Sequence, residues 1–252
     1  MKIIHMSDLH LSSDGGLVWG ADTNRKFLTA ISQIKKIQSI DAIALSGDIS
    51  DDGNLDSYRF ADRMLSELKI PTFCCPGNHD NVNALISSTK FICWPSVHSV
   101  LLRGWRLYFI NSIATDADNP MKNRSRGVID VKTREKLNYE LSMHSEPSVI
   151  ILHHPPLEIG GWQDTKILED RFSFREMLSQ YEYIKLVLSG HVHCFSIREE
   201  NGILYSTASS IGYAFDLAPP RYEIHYGLEG FSVISLEEDK ITIENVLVET
   251  NE

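Results

Sequence analysis

Five short blocks of ligand-type residues punctuate this chain: Asp8-Leu9-His10, Gly47-Asp48, Gly77-Asn78-His79-Asp80, His153-His154-Pro155 and Gly190-His191-Val192-His193. Each comes just after an apolar run that reads as a buried strand, over residues 2–6, 41–46, 71–75, 148–152 and 184–188. In α/β sheets, ligands collect in the crevice beyond the carboxyl ends of the strands. A chain with this pattern is therefore expected to bring five strand ends to one edge. Asp8 and His10 are two residues apart, as are His191 and His193, so in an extended loop each pair projects from one side. Glycines precede Asp48, Asn78 and His191, where the lack of a Cβ permits tight turns and close packing. Together the blocks supply two Asp, one Asn and several His, the donors that two neighbouring divalent ions need, and paired metals are a standard device for displacement at phosphorus.

The segments between the blocks fix the rest of the fold class. Residues 23–40 carry Phe27, Ala30, Ile31, Ile34 and Ile37 at helical spacing, with Thr23 as cap. Residues 55–69 read as a helix with Tyr58, Ala61, Met64, Leu65 and Leu68 on one face. Strands alternating with helices imply a mostly parallel sheet. Apolar runs at 97–102 and 105–111 around Arg103-Gly104 read as a hairpin. Helices are expected at 133–144 and around Phe174, Met177, Leu178 and Tyr181. Residues 115–126 have no periodicity and read as a long loop. Two further hairpins, 195–199 with 203–207 around Asn201-Gly202 and 231–236 with 240–248, end the chain; Asn-Gly is the stronger turn signal. No linker or repeat divides it, so one domain over residues 1–252 is expected, with the hairpins of residues 203–252 completing the second of two sheets.

A formal net charge of −10 argues against a protein that grips a phosphate backbone, and no basic stripe stands out. No stable nucleic-acid partner is expected. The N-terminus runs straight into the first block without a signal peptide, and no apolar stretch approaches membrane-spanning length. Cys74, Cys75, Cys93 and Cys194 lack disulfide-framework or zinc-finger spacing. These features lead to the expectation of a cytoplasmic protein with reduced cysteines and no membrane partner.

The five blocks, in this order, resemble the calcineurin-like metallophosphoesterase superfamily over about residues 2 to 207. The resemblance implies a four-layer α-β-β-α sandwich of two mixed sheets and a single metallophosphoesterase domain. Carried over by position, Asp8, His10, Asp48 and His193 would hold one ion. Asp48, Asn78, His153 and His191 would hold the other, with Asp48 as bridge. Mixed imidazole and oxygen donors suit Mn, Fe, Zn or Co better than Ca. The expected nucleophile is a hydroxide held between the ions, because coordination brings the pKa of water toward neutrality. His79 is the candidate to protonate the leaving oxygen. Asp80 would orient His79, or else cap the helix beginning at Asn81. His154 would line the site or hydrogen-bond to backbone.

The closest resemblance within the superfamily is to bacterial class III cyclic-nucleotide phosphodiesterases and glycerophosphodiesterases. It rests on Gly47-Asp48-Ile49-Ser50-Asp51-Asp52-Gly53 leading to Tyr58, on Pro76-Gly77-Asn78-His79-Asp80, and on His153-His154-Pro155-Pro156 before Gly160, Gly161, Trp162 and Asp164. Asn111 departs from that branch, which often has Asp there. The implied activity is dinuclear, metal-dependent hydrolysis of small phosphodiesters such as 3′,5′-cyclic nucleotides. A phosphomonoesterase or nucleotide pyrophosphatase with the same centre is the alternative, followed by a nuclease or a non-catalytic scaffold such as one retromer subunit. His154 and Trp162 are the candidate substrate contacts. Lys122, Arg124 and Arg126 form a basic cluster that would face substrate phosphate or solvent. The aromatic stretch at 209–230, with Tyr213, Phe215, Pro219, Pro220, Tyr222 and Tyr226, is open to a substrate rim, a homo-oligomer contact or a packed loop.

Overall fold

In a computed structural model, the structure describes residues 1–115, 123–217 and 223–249. The chain runs β1 (Lys2–Met6), α1 (Thr23–Ile34), β2 (Ala42–Ser46), α2 (Leu55–Ser66), β3 (Thr72–Cys75), α3 (Val82–Ser88) and the hairpin β4 (Val97–Leu102) and β5 (Trp105–Ile110). It continues through α4 (Val131–Met143), β6 (Ser148–Leu152), a 3-10 turn at Trp162–Thr165, α5 (Arg171–Leu178) and β7 (Ile184–Ser189). Hairpins β8 (Ser196–Glu200) with β9 (Ile203–Thr207), and β10 (Gly230–Leu236) with β11 (Ile241–Leu247), follow.

Strand alternation builds the layers, because successive side chains point to opposite faces. Ile3, Ala42, Ala44, Phe73 and Cys75 from one sheet meet Leu107, Phe109, Val149, Ile151, Leu186 and Leu188 from the other in a central core. The intervening residues of the first sheet (Ile4, Met6, Ile43, Leu45, Cys74) face outward onto Phe27, Ala30 and Ile31 of α1 and Tyr58, Ala61 and Leu65 of α2. Tyr108, Ile110, Ile150, Leu152 and Val187 do the same for the second sheet, against Leu137 and Leu141 of α4 and Phe174 and Leu178 of α5. The result is the expected four layers, helices outside two mixed sheets.

The sheet orders are β11-β10-β1-β2-β3 and β4-β5-β6-β7-β9-β8. The first is parallel at β1, β2 and β3 and antiparallel where β10 joins β1. This corrects the assignment of the C-terminal hairpins. Only β9, with β8, extends the second sheet, and it does so parallel to β7; β10 and β11 belong to the first. The sequence leaves this choice open, because β10 has two apolar faces, with Phe231 in the outer core and Ile234 and Leu236 in the central one, and both sheets are covered on both sides. Such a strand satisfies both faces only in a sheet covered on both sides.

Both early helices are shorter than their periodicity predicts. Beyond Ile34 the bonds tighten, with Lys36 N–H donating to Gln33 O and Ile37 N–H to Ile34 O, and Ser39 takes a left-handed φ of 59°. Leu68, Lys69 and a φ of 56° at Lys69 end α2 in the same way. Ile37, Ile40 and Leu68 still pack on the outer core, so the apolar pattern continues past the helix that it suggested. The cap of α1 is Asp22 and not Thr23: its carboxylate accepts from Arg25 N at 2.9 Å. The Thr23 hydroxyl instead donates to His10 O at 2.7 Å, tying α1 to the first ligand block.

Phe27 is fully buried between α1 and the sheet that carries three of the five blocks. Phe27→Ala is expected to cost about 3–5 kcal/mol through lost transfer energy and a residual cavity. Urea unfolding measures it, and a loss below about 1 kcal/mol would contradict the packing described.

Candidate metal centre

All five blocks leave the carboxyl ends of parallel neighbours: β1, β2 and β3 in one sheet, β6 and β7 in the other. The two sheets are stitched together at this end. His191 N–H lies 2.9 Å from an Asp8 carboxylate oxygen across the sheets, while Gly190 N–H donates to His153 O at 3.0 Å within the second sheet. Close approach explains two of the glycines. A Cβ on Gly190 would stand 1.7 Å from Ser7 Oγ, and one on Gly77 2.2 Å from Asp48 Oδ1.

The blocks are not extended loops. Asp8, His10, Asp48, His191 and His193 all adopt positive φ, between 45° and 71°. Left-handed backbone is sparsely populated by non-glycine residues and persists where surrounding bonds over-determine it. Here Asp8 N–H donates to Gly47 O and His10 N–H to Asp48 O, each at 3.0 Å, while Gly212 N–H and the Ser210 hydroxyl both bind Asp8 O. The pairs Asp8/His10 and His191/His193 thus converge by a curled backbone, where period-two alternation would have placed them on one side of a strand.

Hydrogen bonding fixes which nitrogen of each imidazole faces inward. His10 Nδ1 donates to Asp51 Oδ1 at 2.9 Å and His193 Nδ1 to Tyr213 O at 2.7 Å. His153 Nδ1 donates to Ser46 O at 2.7 Å and His191 Nε2 to Lys166 O at 3.1 Å. An oxygen acceptor on one ring nitrogen leaves a lone pair on the other. Those lone pairs face each other: His10 Nε2 and His193 Nε2 are 3.2 Å apart, and so are His153 Nε2 and His191 Nδ1. Two facing lone pairs repel unless a cation lies between them. Ligands about 2.1 Å from a metal sit about 3 Å from their neighbours, so the spacing fits.

The oxygen donors complete both positions. Asp8 Oδ1 is 3.3 Å from His193 Nε2. Asp48 Oδ2 lies between the two halves, 3.2 Å from His153 Nε2 and 3.7 Å from His10 Nε2, while its Oδ1 accepts the backbone N–H of His79 at 2.7 Å. Asn78 Oδ1 is 3.2 Å from His153 Nε2. Burial alone would raise both carboxyls, but His193 beside Asp8 and His153 beside Asp48 outweigh it and hold them well below the usual carboxylate range. Burial opposes charge on His153 too, yet the Asp48 carboxylate lifts its pKa to about 9. Burial and the neighbouring His153 push His191 down to about 3. A pocket that keeps Asp48 ionised and favours charge on the neighbouring imidazole is one where positive charge belongs. Asp8, His10 and His193 form one group able to hold a metal ion, and Asp8, Asp48 and His153 another.

His79 also lies within donor reach of His10 and Asp48, but on the exposed side, with its ring centroid 4.8 Å from that of His10. Its Nδ1 donates to Asp51 O at 3.1 Å and lies 3.6 Å from the Asp51 carboxylate. Burial works against its cation, but Asp48 and Asp51 outweigh that and raise its pKa. Asp80 does neither job expected of it. Asn81 caps α3, accepting from Ala84 N at 3.1 Å. The buried Asp80 carboxylate instead accepts from Ile49 N, Ser50 N and Tyr58 Oη on one oxygen and from Gly77 N on the other. It knits the second block to the third, and the orienting contacts on His79 come from Asp51. Burial and the nearby Asp48 raise the Asp80 pKa to about 6.

A cavity of about 1030 Å³ opens beside His79, lined also by Asp51, Asp52, Asn78, Arg124 and Arg126. Arg124 pairs with Glu169, and Arg126 donates to Thr165 O at 2.8 Å, so both carry partners while facing the cavity. Asn123 pins this segment to the third block, its amide donating to Asn78 O at 3.0 Å and Asp80 O at 3.2 Å. Lys122, Pro219, Pro220 and Tyr222 lie outside the described residues. Trp162 is off the cavity wall; its indole donates to Asp216 O at 2.9 Å and its ring meets Phe215. His154 is fully buried and hydrogen-bonds Ser112 Oγ through Nδ1 at 2.9 Å. Asn111, next to that serine, braces Pro95 O. Tyr213 is buried, its ring against His10 and His193. Sequence reasoning gave no role to Asp51 or Ser210, and it left Tyr213 open between a substrate rim, an oligomer contact and a packed loop. Asp51 alone had a signal, its fixed spacing after Gly47-Asp48.

A family model described as calcineurin-like phosphoesterase matches residues 1–195. The chain is 29% identical over 243 residues to a 3′,5′-cyclic-nucleotide phosphodiesterase from Nostoc sp., covering 95% of this chain and 89% of that protein. It is 26% identical to a probable glycerophosphodiester phosphodiesterase of Arcobacter nitrofigilis over 91% of this chain and 89% of the relative. In fold it is similar to a dimetal phosphatase from Danio rerio, with a TM-score of 0.70, 12% identity and 98% of both chains covered.

Asp80→Ala would strand three buried backbone N–H groups and the Tyr58 hydroxyl. At about 1–3 kcal/mol for each unsatisfied group, partly relieved by relaxation, the expected loss is about 3 kcal/mol or more, read by urea unfolding of metal-free protein. A loss under about 1 kcal/mol would show that Asp80 does not knit the two blocks.

Proposed function

This chain belongs to the calcineurin-like phosphoesterase family, and from that premise we propose a two-ion phosphodiesterase acting on small phosphodiesters, 3′,5′-cyclic nucleotides among them. The chain is a phosphoric ester hydrolase, and no helix among the described residues is long and apolar enough to cross a membrane. The observation that carries the reading is the pair of facing lone-pair couples joined by Asp48, with His79 just outside them on the wall of the cavity. Asp8, His10, Asp48 and His193 would hold one divalent ion; Asp48, Asn78, His153 and His191 the other. Bound there, Mn, Fe or Zn would polarise phosphoryl oxygens and acidify a water.

The chain's own residues supply the rest. His79 has Nδ1 fixed on Asp51 O, and its raised pKa favours the form with a proton on Nε2, which it can give to the leaving oxygen. Asp51 sets the ring and favours its charged form. Asp51 and Asp52 also line the cavity. Their negative charge is met with less repulsion by a monoanionic diester than by a dianionic monoester. The relatives named as phosphodiesterases support the same choice. One domain spanning the described residues is part of the proposal.

Hydrolysis of bis(p-nitrophenyl) phosphate, p-nitrophenyl phosphate and cyclic AMP should depend on Mn²⁺, stop with chelator and favour the diesters; preference for the monoester would overturn the diesterase reading. His79→Ala should lower turnover about 10²–10⁴-fold while metal content stays at the wild-type value. Loss of metal would make His79 a ligand. Asp51→Asn removes a charge that raises the His79 pKa, so the alkaline limb of the pH–rate profile should move to lower pH. A limb that stays in place would separate His79 from the proton transfer.

A further inference from the structure

His153 and His154 stand side by side at the end of β6, and only the first belongs to the ligand set above. The second is built into the same place. Its ring centroid is 4.5 Å from that of His191 and 4.9 Å from that of His153. With those two it forms a group of candidate donor atoms that all lie within 4.8 Å of one another. Its Nδ1 is 2.9 Å from Ser112 Oγ, and that same oxygen accepts the His154 backbone N–H at 3.3 Å. Its Nε2 is buried and has no hydrogen-bond partner among the described residues. The ring fits only because residue 127 is glycine, since a Cβ there would come within 2.4 Å of His154 Cγ and Nδ1.

We propose that His154 is a third imidazole donor at the second metal position, binding through Nε2. The inference rests on the two-ion reading. Each of the four assigned imidazoles has one nitrogen on an oxygen and the other turned inward. His154 repeats that arrangement when Ser112 Oγ, which already takes the His154 backbone N–H, also accepts from Nδ1. An unpartnered nitrogen in a dry interior is unfavourable, and a cation beside His153 and His191 removes the penalty. The other groups of that corner, His153 Nε2 and His191 Nδ1, present lone pairs too, so positive charge satisfies all three together. Three imidazoles with Asn78 and Asp48 make the position nitrogen-rich, which favours Co²⁺ and Zn²⁺ over Mn²⁺ and Mg²⁺.

Full-length protein stripped by chelator and titrated with Co²⁺, followed by visible absorption and equilibrium dialysis, tests this. Wild type should bind two ions. His154→Phe and His154→Gln should each weaken the second ion about 10–100-fold, with a changed visible band and the first ion unaffected, and should weaken the second Mn²⁺ less. Fewer than two ions on wild type would overturn the two-ion reading itself. Two ions with an unchanged second affinity and band in a variant whose circular dichroism matches wild type would overturn only the role of His154. A measurement independent of variant folding is the proton NMR spectrum of the Co²⁺-loaded wild type. Five paramagnetically shifted ring N–H signals are expected, from His10, His153, His154, His191 and His193, and four would overturn the proposal.

Discussion

Two couples of imidazole nitrogens face each other across 3.2 Å with their hydrogens turned the other way, and much of this end of the molecule exists to impose that arrangement. Repulsion between lone pairs would swing the rings apart if nothing held them. What holds them is an outer ring of acceptors: Asp51, Ser46 O, Lys166 O and Tyr213 O. Such partners fix both tautomer and ring plane, as outer-shell groups do at metal sites generally. The backbone is committed as well, since five of the site residues sit at positive φ.

The architecture makes the arrangement possible by packing two sheets face to face with the carboxyl ends of β1, β2, β3, β6 and β7 at one end. Four of the candidate donors come from the β1, β2 and β3 loops and three from the β6 and β7 loops, so neither sheet alone assembles the cluster. The central core between the sheets sets their spacing, and glycines at 77 and 190 let backbone and carboxylate come closer than any side chain would allow. Asp80 shows how much of the chemistry is indirect. It looks like part of a catalytic block, yet it spends its oxygens on the backbone of two loops and on Tyr58, which holds the Asp48 and His79 loops in register.

Strands β1, β5, β6 and β9 were legible because a buried strand writes itself as a local apolar run ended by a turn. The helices were legible in position and overlong in extent, since Ile37, Ile40 and Leu68 continue the apolar period while packing from non-helical backbone. The sheet joined by β10 was not legible. Its alternation says that both faces are covered, and says nothing of which open edge it joins. The same limit applies to the side chains around the site. Asp51 and Asn123 reach it from neighbouring loops and Tyr213 from far along the chain, and no local pattern records a contact with a histidine elsewhere.

The sequence by itself marked Asp8, His10, Asp48, Asn78, His153, His191 and His193 as candidate donors, each placed after a strand, because residue type and strand period are local properties. It also marked His79 as the group left over. Tertiary structure decided which ring nitrogen each histidine turns inward, that Asp51 and not Asp80 holds His79, and that His154 lies buried against His191 with an idle nitrogen. Those outcomes depend on acceptors supplied by distant segments and on left-handed turns held by bonds between sheets. They come into being only when the two halves pack.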